Sequence, residues 1–284
     1  MSTSSSPSKK TIFITGGNAG LGLEIIKSLL RSASTTTSYD ILLGSRSLPN
    51  AHTAIAALRS SFPATASTLT AVQCDLASDT SLTDAIATIA AHTERGHLDI
   101  LVNNAGAAYD SRIASGTMGM REAWNASWDT NVTGTQVLTS LAVPLLLKAE
   151  DPRLIFLASG TSTLAGTESK ENDMLKRLNG SPPAGWPKPS TTFGGAASSY
   201  RSTKTGLNML MREWVRVLGN DGVKIWAVSP GFLATGLNDS TPEKLRAMGA
   251  LDPVIGADFT VSVIEGKRDQ DVGKVIRRDA VQNW

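Results

Sequence analysis

A tyrosine and a lysine stand one helical turn apart in the stretch SSYRSTKTGLN, residues 198–208. The chain has only three tyrosines, and Tyr200 precedes Lys204 by four positions, so both side chains would lie on one face of a helix. One interpretation is a proton donor beside a cation that tunes its acidity. The other is chance, because pairs at this spacing are frequent on helices. The residues that the rest of the chain places around the pair decide between these two interpretations.

The composition is that of a globular chain and argues against several kinds of chemistry. Of 284 residues, 41% are hydrophobic and 18% are charged, which fits one large domain or two small ones. The net charge of +2 is scattered, which predicts neither a nucleic-acid nor a membrane partner. The single Cys74 excludes an internal disulfide, and the distant His52, His92 and His97 argue against a metal-centred mechanism. We expect no metal.

The N-terminal sequence predicts a tail rather than a targeting segment. MSTSSSPSKK has no apolar core of the kind found in secretory signals, and no apolar run in the chain is long enough to span a bilayer. We therefore expect residues 1–10 to be a disordered tail and the protein to be cytoplasmic.

Short apolar runs alternate with longer amphipathic stretches along the chain. This alternation predicts a parallel sheet covered by helices on both faces, a doubly wound α/β fold of the Rossmann type in one domain, residues 11–284. The predicted strands are 11–15, 39–45, 69–75, 98–104, 153–159 and 223–230, with GKVIRR (273–278) as a seventh. The predicted helices are 20–33, 51–60, 79–95, 119–149 and 198–219.

Two segments interrupt the alternation. Residues 160–197, rich in Gly, Pro, Ser and Thr, form an insertion that reads as one long loop. Residues 231–253 contain one short helical pattern and read as a substrate loop. Ligands in doubly wound folds bind beyond the carboxyl ends of the strands, and both segments follow strands. Both can therefore reach that crevice.

The glycines after the first predicted strand indicate dinucleotide binding. In TGGNAGLG, Gly16 permits a tight turn, Gly20 lets the backbone approach a pyrophosphate, and Gly22 allows close packing of helix on strand. Asn18 and Leu21 lie in the same loop. The helix that follows presents N–H groups and the positive end of its dipole to phosphates. A purely structural turn is the alternative.

The end of the second predicted strand indicates which dinucleotide the protein binds. An acid there would bond the 2′-hydroxyl of an NAD ribose, but LLGSRS places Ser45 at that position and Arg46 after it. Nothing at this strand end repels a 2′-phosphate, and a guanidinium can pair with one. We therefore expect NADP(H) rather than NAD(H), with a solvated Arg46 as the alternative.

Further motifs follow in an order that resembles a known family. They are CDL around Asp75, NNAG at 103–106, Asn131, Ser159, YRSTK at 200–204 and PGFLAT at 230–235. With the glycine loop, this set resembles the short-chain dehydrogenase/reductase family of the classical type, and within it an NADP-dependent carbonyl reductase. The resemblance covers about residues 11–240 and implies a Rossmann-type domain with a seven-stranded parallel sheet.

The resemblance implies roles for four residues. Tyr200 would be the general acid/base, and Lys204 with the oxidised nicotinamide would lower the tyrosine pKa toward working pH. Lys204 would also hold the nicotinamide ribose. Ser159 would bond the substrate oxygen, and Asn131 would anchor a water that links Lys204 to solvent. The alternatives are a strand-end capping role for Ser159 and backbone bonding inside a helix for Asn131, where asparagine is unfavourable.

The resemblance also implies a set of cofactor contacts. Asp75 and Leu76 would bracket the adenine, and the loop at 230–235 would meet the carboxamide and phosphates. Asn103 would instead tie strands together. The residues expected at the cofactor are Gly16, Asn18, Gly20, Leu21, Gly22, Ser45, Arg46, Asp75, Leu76, Asn104, Ala105, Gly106, Tyr200, Lys204, Pro230, Gly231, Leu233 and Thr235.

The insertion departs from the common family pattern by separating Ser159 and Tyr200 widely. Some carbonyl reductases of the family carry such an insertion, which covers a helix face used for tetramers. By this analogy we expect a monomer or homodimer. Trp186, Phe193, Tyr109 and Phe232 are candidates for an apolar substrate lining. For Trp186 the alternative is a ring buried against the surface to hold the loop.

These observations predict an oxidoreductase that transfers a hydride between NADP(H) and a ketone or aldehyde, with a small carbonyl or alcohol substrate. The same residues fit the oxidation of an alcohol, or the reduction of a C=C or C=N bond. A protein of another class, a non-catalytic sensor of NADP(H), is a further alternative. A sensor has no need to keep Asn131, Ser159, Tyr200 and Lys204 together, so their joint presence favours the enzyme.

Overall fold

The computed structural model describes residues 9–33, 37–93, 96–195 and 197–284. Most of the tail predicted at 1–10, and the last two residues of the helix predicted at 79–95, lie outside these ranges. Lys9 and Lys10 do not belong to a tail, because they begin the first strand.

Seven strands form one parallel sheet, which confirms the predicted fold class. Their order is β3-β2-β1-β4-β5-β6-β7, so the chain reverses direction across the sheet between β1 and β4. Ligands of doubly wound folds bind at such a reversal. The strands are β1 (Lys9–Ile14), β2 (Ser38–Ser45), β3 (Thr68–Gln73), β4 (Ile100–Asn103), β5 (Arg153–Leu157), β6 (Lys224–Val228) and β7 (Val275–Ile276).

Helices cover both faces of the sheet. They are α1 (Gly20–Ser32), α2 (Leu48–Ser61), α3 (Asp79–His92), α4 (Asp110–Ser115), α5 (Met120–Trp128), α6 (Gly134–Leu146), α7 (Asp173–Asn179), α8 (Ser190–Gly195), α9 (Ser198–Val217), α10 (Pro242–Ala247) and α11 (Pro253–Ile264). Successive strand residues face opposite sides, so Ile12 and Ile14 join a core with α1, α2 and α11, and Phe13 joins one with α3, α6 and α9.

Three parts of the helical pattern differ from the prediction. The helix predicted at 119–149 is interrupted by a π-helical turn at Asp129–Thr133 that separates α5 from α6. The insertion is not one loop, since it holds a 3₁₀ turn at Ala165–Glu168 as well as α7 and α8. The apolar helix α11 was not predicted. Its sequence PVIGADFTVSVI is rich in β-branched residues and apolar on nearly all sides, so it shows no helical period.

A buried arginine joins the sheet to the segment before β7. The Arg153 guanidinium, 4% exposed, pairs with Asp269 at 2.6 Å and with Asp151 at 2.7 Å. Lys224 of the neighbouring strand contacts both carboxylates. These cations hold the pKa of Asp269 down at about 2, with the bond to Arg153 as the largest cause. Because a buried charge needs its partner, this network stabilises the fold only when it is complete.

We expect Asp269→Asn to lower the free energy of unfolding by about 1–3 kcal/mol at pH 7, because it leaves Arg153 partly unpaired. The pKa of Asp269 in the fold lies below its usual value of 3.8. Its contribution is therefore present above pH 3.8 and is lost as the pH falls toward about 2. Urea unfolding at several pH values measures this. Glu213→Gln, which breaks an exposed pair with Arg216, is the control and should leave the free energy of unfolding nearly unchanged. Equal losses in the two variants would contradict the prediction.

Candidate active site

The loop between β1 and α1 has the backbone that its glycines predict. Gly16 and Gly20 have positive φ angles of 65° and 53°. A Cβ at Gly22 would lie 2.3 Å from the Gly16 carbonyl oxygen, so only glycine lets α1 begin this close to the turn. A Cβ at Gly20 would lie 3.7 Å from Thr235 Cβ. The glycine loop and the loop after β6 therefore form two walls of one crevice, with Asn18 and Leu21 half-buried beside them.

Thr15 and Asn104 join the glycine loop to the end of β4. The Thr15 hydroxyl accepts the backbone N–H groups of Asn104 and Ala105 at 3.0 and 2.9 Å, and Asn104 Nδ2 donates to the Thr15 carbonyl at 2.8 Å. The prediction that Asn103 ties strands together is wrong. Its Nδ2 donates to Thr139 of α6, because alternation along β4 turns this side chain onto the helical layer.

The residues after β2 and β3 lie farther along the same edge of the sheet. Ser45 is buried, and its hydroxyl donates to the Ser47 carbonyl at 3.1 Å. Arg46 is exposed, and among the described residues no carboxylate or carbonyl pairs with its guanidinium. Asp75 accepts the N–H of Ala77, while Leu76 is buried against Gly134, the first residue of α6.

Helix α9 brings Tyr200 and Lys204 together, as their spacing predicts. Lys204 Nζ lies 5.8 Å from the centre of the Tyr200 ring and donates a 2.7 Å bond to the carbonyl of Leu157, the last residue of β5. Lys204 is 4% exposed. Burying an ammonium group requires such a partner. The amphipathic helix and the strand end together therefore fix the position of this cation.

Asn131 lies in the π-helical turn, buried beside Lys204. Its Oδ1 accepts the Ala107 N–H at 2.7 Å, and its Nδ2 donates to the Ala107 carbonyl at 2.8 Å and to Thr203 Oγ1 at 2.9 Å. A Cβ at Gly106 would lie 3.0 Å from Asn131 Oδ1 and 3.4 Å from Lys204 Nζ. Asn131 thus joins the loop after β4 to α9. The π turn, a frequent feature of functional sites, explains an asparagine inside a helical segment.

Ser159 follows β5 and faces the same crevice. Its Oγ lies 2.9 Å from Thr161 Oγ1 and accepts the Thr161 N–H at 3.2 Å. The Ser159 carbonyl accepts bonds from Ser162 and from Gln282 Nε2, which lies near the C-terminal end of the sequence. The hydroxyl is therefore held in a tight turn after the strand, and the turn is tied to a remote segment.

Burial sets the acidities of the tyrosine and the lysine. Desolvation raises the pKa of Tyr200 to about 12, opposed by a hydrogen bond with Ser159. Desolvation lowers the pKa of Lys204 to about 8. The predicted lowering of the tyrosine pKa is not seen in the chain alone, because burial outweighs the hydrogen bond with Ser159. At neutral pH the tyrosine is therefore a protonated acid and the lysine is mostly charged.

The loop after β6 forms the outer wall of the crevice. Pro230 is half-buried, Gly231 has a φ of 109°, and Leu233 is buried with a β-bridge to Leu251. The Thr235 hydroxyl accepts the N–H of Leu237 at 3.5 Å.

The candidates for an apolar substrate lining divide into two groups. Tyr109, Phe193 and Phe232 are half-buried. Trp186 is 79% exposed, so its ring neither buries itself against the surface nor lines an enclosed space. The insertion instead contacts α9 through Arg201, whose guanidinium donates to the Leu178 carbonyl and to Asn179 Oδ1.

Sequence reasoning missed several side chains that hold the site. They are Thr15, Asp110, Thr161, Thr203 and Gln282. Each acts through hydrogen bonds to residues distant in the chain or through a local turn, and no spacing pattern marks them. Thr15 and Thr203 alone had a usable signal, since they lie inside the TGGNAGLG and YRSTK motifs.

Comparison with known proteins identifies the family. The family model for short chain dehydrogenase matches residues 10–169. The short-chain dehydrogenase/reductase eupG of Phoma sp is 44% identical over 97% of this chain and 98% of its own length. The short-chain dehydrogenase/reductase tropE of Talaromyces stipitatus is 42% identical over 95% of this chain and 96% of its own length. The chain belongs to the short-chain dehydrogenase/reductase family, an oxidoreductase family, as its motifs predict.

Solved structures share the fold at low sequence identity. The NADPH-bound carbonyl reductase from chicken fatty liver matches with a TM-score of 0.72 at 19% identity, covering 97% of this chain and 99% of that one. Carbonyl reductase Sniffer of D. melanogaster matches with a TM-score of 0.72 at 20% identity, covering 98% of this chain and 100% of that one. A 3-ketoacyl-(acyl-carrier-protein) reductase from Brucella melitensis, complexed with NADH, matches with a TM-score of 0.68 at 18% identity. The match covers 94% of this chain and 96% of that one. The fold thus occurs with either nicotinamide cofactor.

The described residues contain neither a membrane-spanning helix nor a metal-binding cluster. None of their helices combines the length and the apolar character needed to cross a bilayer. Within the same residues, no group of three or more His, Cys, Asp or Glu side chains is arranged to hold a metal ion.

We expect Gly22→Ala to disrupt the glycine loop, because the added methyl group would press on the Gly16 carbonyl. Overpacking of this kind costs about 1–3 kcal/mol, and dinucleotide affinity should fall by about tenfold or more. Fluorescence titration with NADPH and thermal unfolding measure the two effects. Gly119→Ala is the control, since a Cβ there meets nothing within 4 Å. Unchanged NADPH affinity in Gly22→Ala would show that the loop does not contact the cofactor.

Proposed function

We propose that this protein reduces a ketone or aldehyde with NADPH, with Tyr200 as the acid that protonates the carbonyl oxygen. The observation that carries the proposal is the convergence of four side chains at the carboxyl edge of the sheet. Ser159 follows β5, Tyr200 and Lys204 lie on α9, and Asn131 joins α9 to the loop after β4.

The crevice beside these side chains fits a dinucleotide. Gly20 leaves space between the glycine loop and Thr235, Gly22 lets α1 begin close to the turn at Gly16, and the helix N-terminus favours phosphate there. Asn104, Ala105 and Gly106 line the floor, and Thr235 lies opposite. When bound, the nicotinamide supplies the hydride. The chain's own contribution is to orient the carbonyl and to deliver a proton.

Proton delivery follows from the state of the two ionisable groups. Tyr200 is protonated at neutral pH because burial raises its pKa to about 12. As negative charge develops on the carbonyl oxygen, the Tyr200 O–H transfers its proton to that oxygen, and the Ser159 hydroxyl donates a hydrogen bond to it. The Lys204 ammonium next to the ring stabilises the phenolate that remains. Asn131 holds the loop that carries Gly106 against this ammonium.

Arg46 supports NADP(H) as the cofactor. It is exposed at the end of β2, where the adenosine ribose of a bound dinucleotide would lie, and among the described residues no acid neutralises it. The buried Ser45 puts a hydroxyl where NAD enzymes place a carboxylate. A guanidinium there pairs with a 2′-phosphate through charge-assisted hydrogen bonds.

The proposed oligomeric state is a monomer or homodimer. In its support, Arg201 ties the insertion to the N-terminal end of α9. The insertion covers only part of α9, since Met209 of this helix is 60% exposed.

We expect Tyr200→Phe to bind NADPH with near-normal affinity and to lose turnover by about 10²–10⁴-fold, because only the proton donor is removed. The decay of NADPH absorbance in the presence of a panel of ketones, aldehydes and quinones measures turnover. Tyr39→Phe makes the same change in the core at β2 and is the control. Wild-type turnover in Tyr200→Phe would refute the proposed acid. Tight NADPH binding without turnover on the wider panel would favour a sensor.

We expect Arg46→Asp to weaken NADPH binding by about 10–100-fold and to leave NADH binding within about twofold. The variant removes a phosphate partner worth about 1.5–3 kcal/mol and adds a like charge. Parallel titrations with the two nucleotides give the ratio. Arg121→Asp, an exposed arginine on α5, is the control for net charge. Equal losses for NADPH and NADH would show that Arg46 does not lie at the 2′-phosphate.

A further inference from the structure

The first turn of α9 receives its cap from a distant part of the chain. The N-cap residue Ala197 has a left-handed backbone and no side-chain oxygen to offer. The N–H groups of Ser199 and Tyr200 instead donate to the two carboxylate oxygens of Asp110, at 2.8 and 3.1 Å. Asp110 is 0% exposed. One buried carboxylate, about 90 positions away in the sequence, therefore satisfies two of the free donors at this helix end.

The geometry specifies the ionised form of Asp110. Each oxygen accepts one N–H, and a protonated carboxyl would direct its O–H at one of these donors. The pKa of Asp110 is raised above its usual value, because burial outweighs the lowering by the bonds from Ser199 and Tyr200. The positive dipole end of α9 also favours the negative charge.

Asp110 is itself held in place from two sides. It is the first residue of α4, and α8 packs so closely that a Cβ at Gly194 would lie 2.5 Å from the Asp110 carbonyl oxygen. The next residue, Ser111, bonds to Asn238 of the loop after β6 through its N–H. The carboxylate is thus a fixed point on which the start of α9 rests.

Tyr200 and Lys204 depend on this fixed point to different degrees. Lys204 lies one turn deeper in α9 and has its own anchor, the Leu157 carbonyl. Tyr200 lies in the first turn, where helices fray unless their donors are satisfied. The position of the phenol relative to Ser159 and Lys204 therefore rests on the bond from its own backbone N–H to Asp110.

We propose that Asp110 is a positioning residue for the reaction, which holds the Tyr200 hydroxyl in line with Ser159 by capping the first turn of α9. This inference rests on the proposed role of Tyr200 as the acid. Asp110 itself acts only through the backbone. Misplacing a reacting group by about 1 Å costs on the order of 10²-fold in rate, so loss of the cap acts on turnover rather than on cofactor binding.

Asp110→Ala and Asp110→Asn test the proposal in the full-length protein. We expect kcat to fall by about 10–100-fold in Asp110→Ala, with KM for NADPH within about twofold. Amide hydrogen exchange should accelerate at Ser199 and Tyr200 and stay unchanged in the rest of the sheet and its helices. Asp110→Asn keeps one acceptor oxygen and should give an intermediate kcat. If Asp110→Ala does not fold, the asparagine variant carries both measurements.

Ser78→Ala is the matched control, because it removes the N-cap of α3, which accepts the Ser81 N–H. It should accelerate exchange at the start of α3 and leave kcat unchanged. Unchanged exchange at Ser199 and Tyr200 in the Asp110 variants would overturn the proposal. So would faster exchange there without a loss of kcat, or faster exchange throughout the chain with kcat and KM changing together.

The exchange measurement needs no substrate, which separates this proposal from the proposed reaction. If Tyr200→Phe kept wild-type turnover, the role of Tyr200 as the acid would fail while exchange at Ser199 still reported the cap.

Discussion

Burial of the Lys204 ammonium is the constraint on which the site depends. A charged amine removed from water must find partners, and its bond to the Leu157 carbonyl ties α9 to the end of β5. The loop after β4 approaches the Lys204 amine closely, because Gly106 has no side chain to separate them. Asn131 fastens that loop with two hydrogen bonds to Ala107 and joins it to α9 with a third, to Thr203. The sheet edge, the π turn and α9 are therefore positioned together around one cation.

The same burial sets the protonation states from which the proposed proton transfer begins. Tyr200, with its pKa raised to about 12, is an acid at neutral pH and suits the reduction of a carbonyl group. Alcohol oxidation needs a phenolate, which would require additional positive charge near the ring. Lys204, with its pKa lowered to about 8, already contributes what charge the chain has at this point. In the proposed reaction, the ease of forming the phenolate thus depends on the charge that the bound nucleotide brings, as well as on the protein.

Regular elements and the chemistry at their ends could be predicted from the sequence, whereas contacts between distant segments could not. Apolar runs located all seven strands, and the glycine spacing located the turn before α1, because these signals are local. Helix α11 was missed because a helix buried on most sides lacks amphipathic periodicity. The joining of strands was predicted for Asn103 but is made by Asn104, since strand alternation at the last residue of β4 depends on where the strand ends. Asp110 could not be recognised, because its partners lie on a helix that the sequence alone does not place beside it.

The irregular segments that border the crevice are fixed by polar contacts to α4 and α9 rather than by a core of their own. Arg112 of α4 pairs with Asp239 at 2.9 Å, which fastens the loop after β6, and Arg201 of α9 fastens the insertion. The Arg112–Asp239 pair is exposed, and exposed pairs contribute little stability and weaken with salt. Asn238 and Asp239 also have left-handed backbones, which oppose this closed arrangement. The tip of this loop is therefore joined to α4 by an exposed ion pair and a partly buried hydrogen bond, whereas the buried Leu233 and its bridge to Leu251 hold the base of the loop. A tip held in this way can detach at small cost, whereas Leu233 and Lys204 are buried and stay in place.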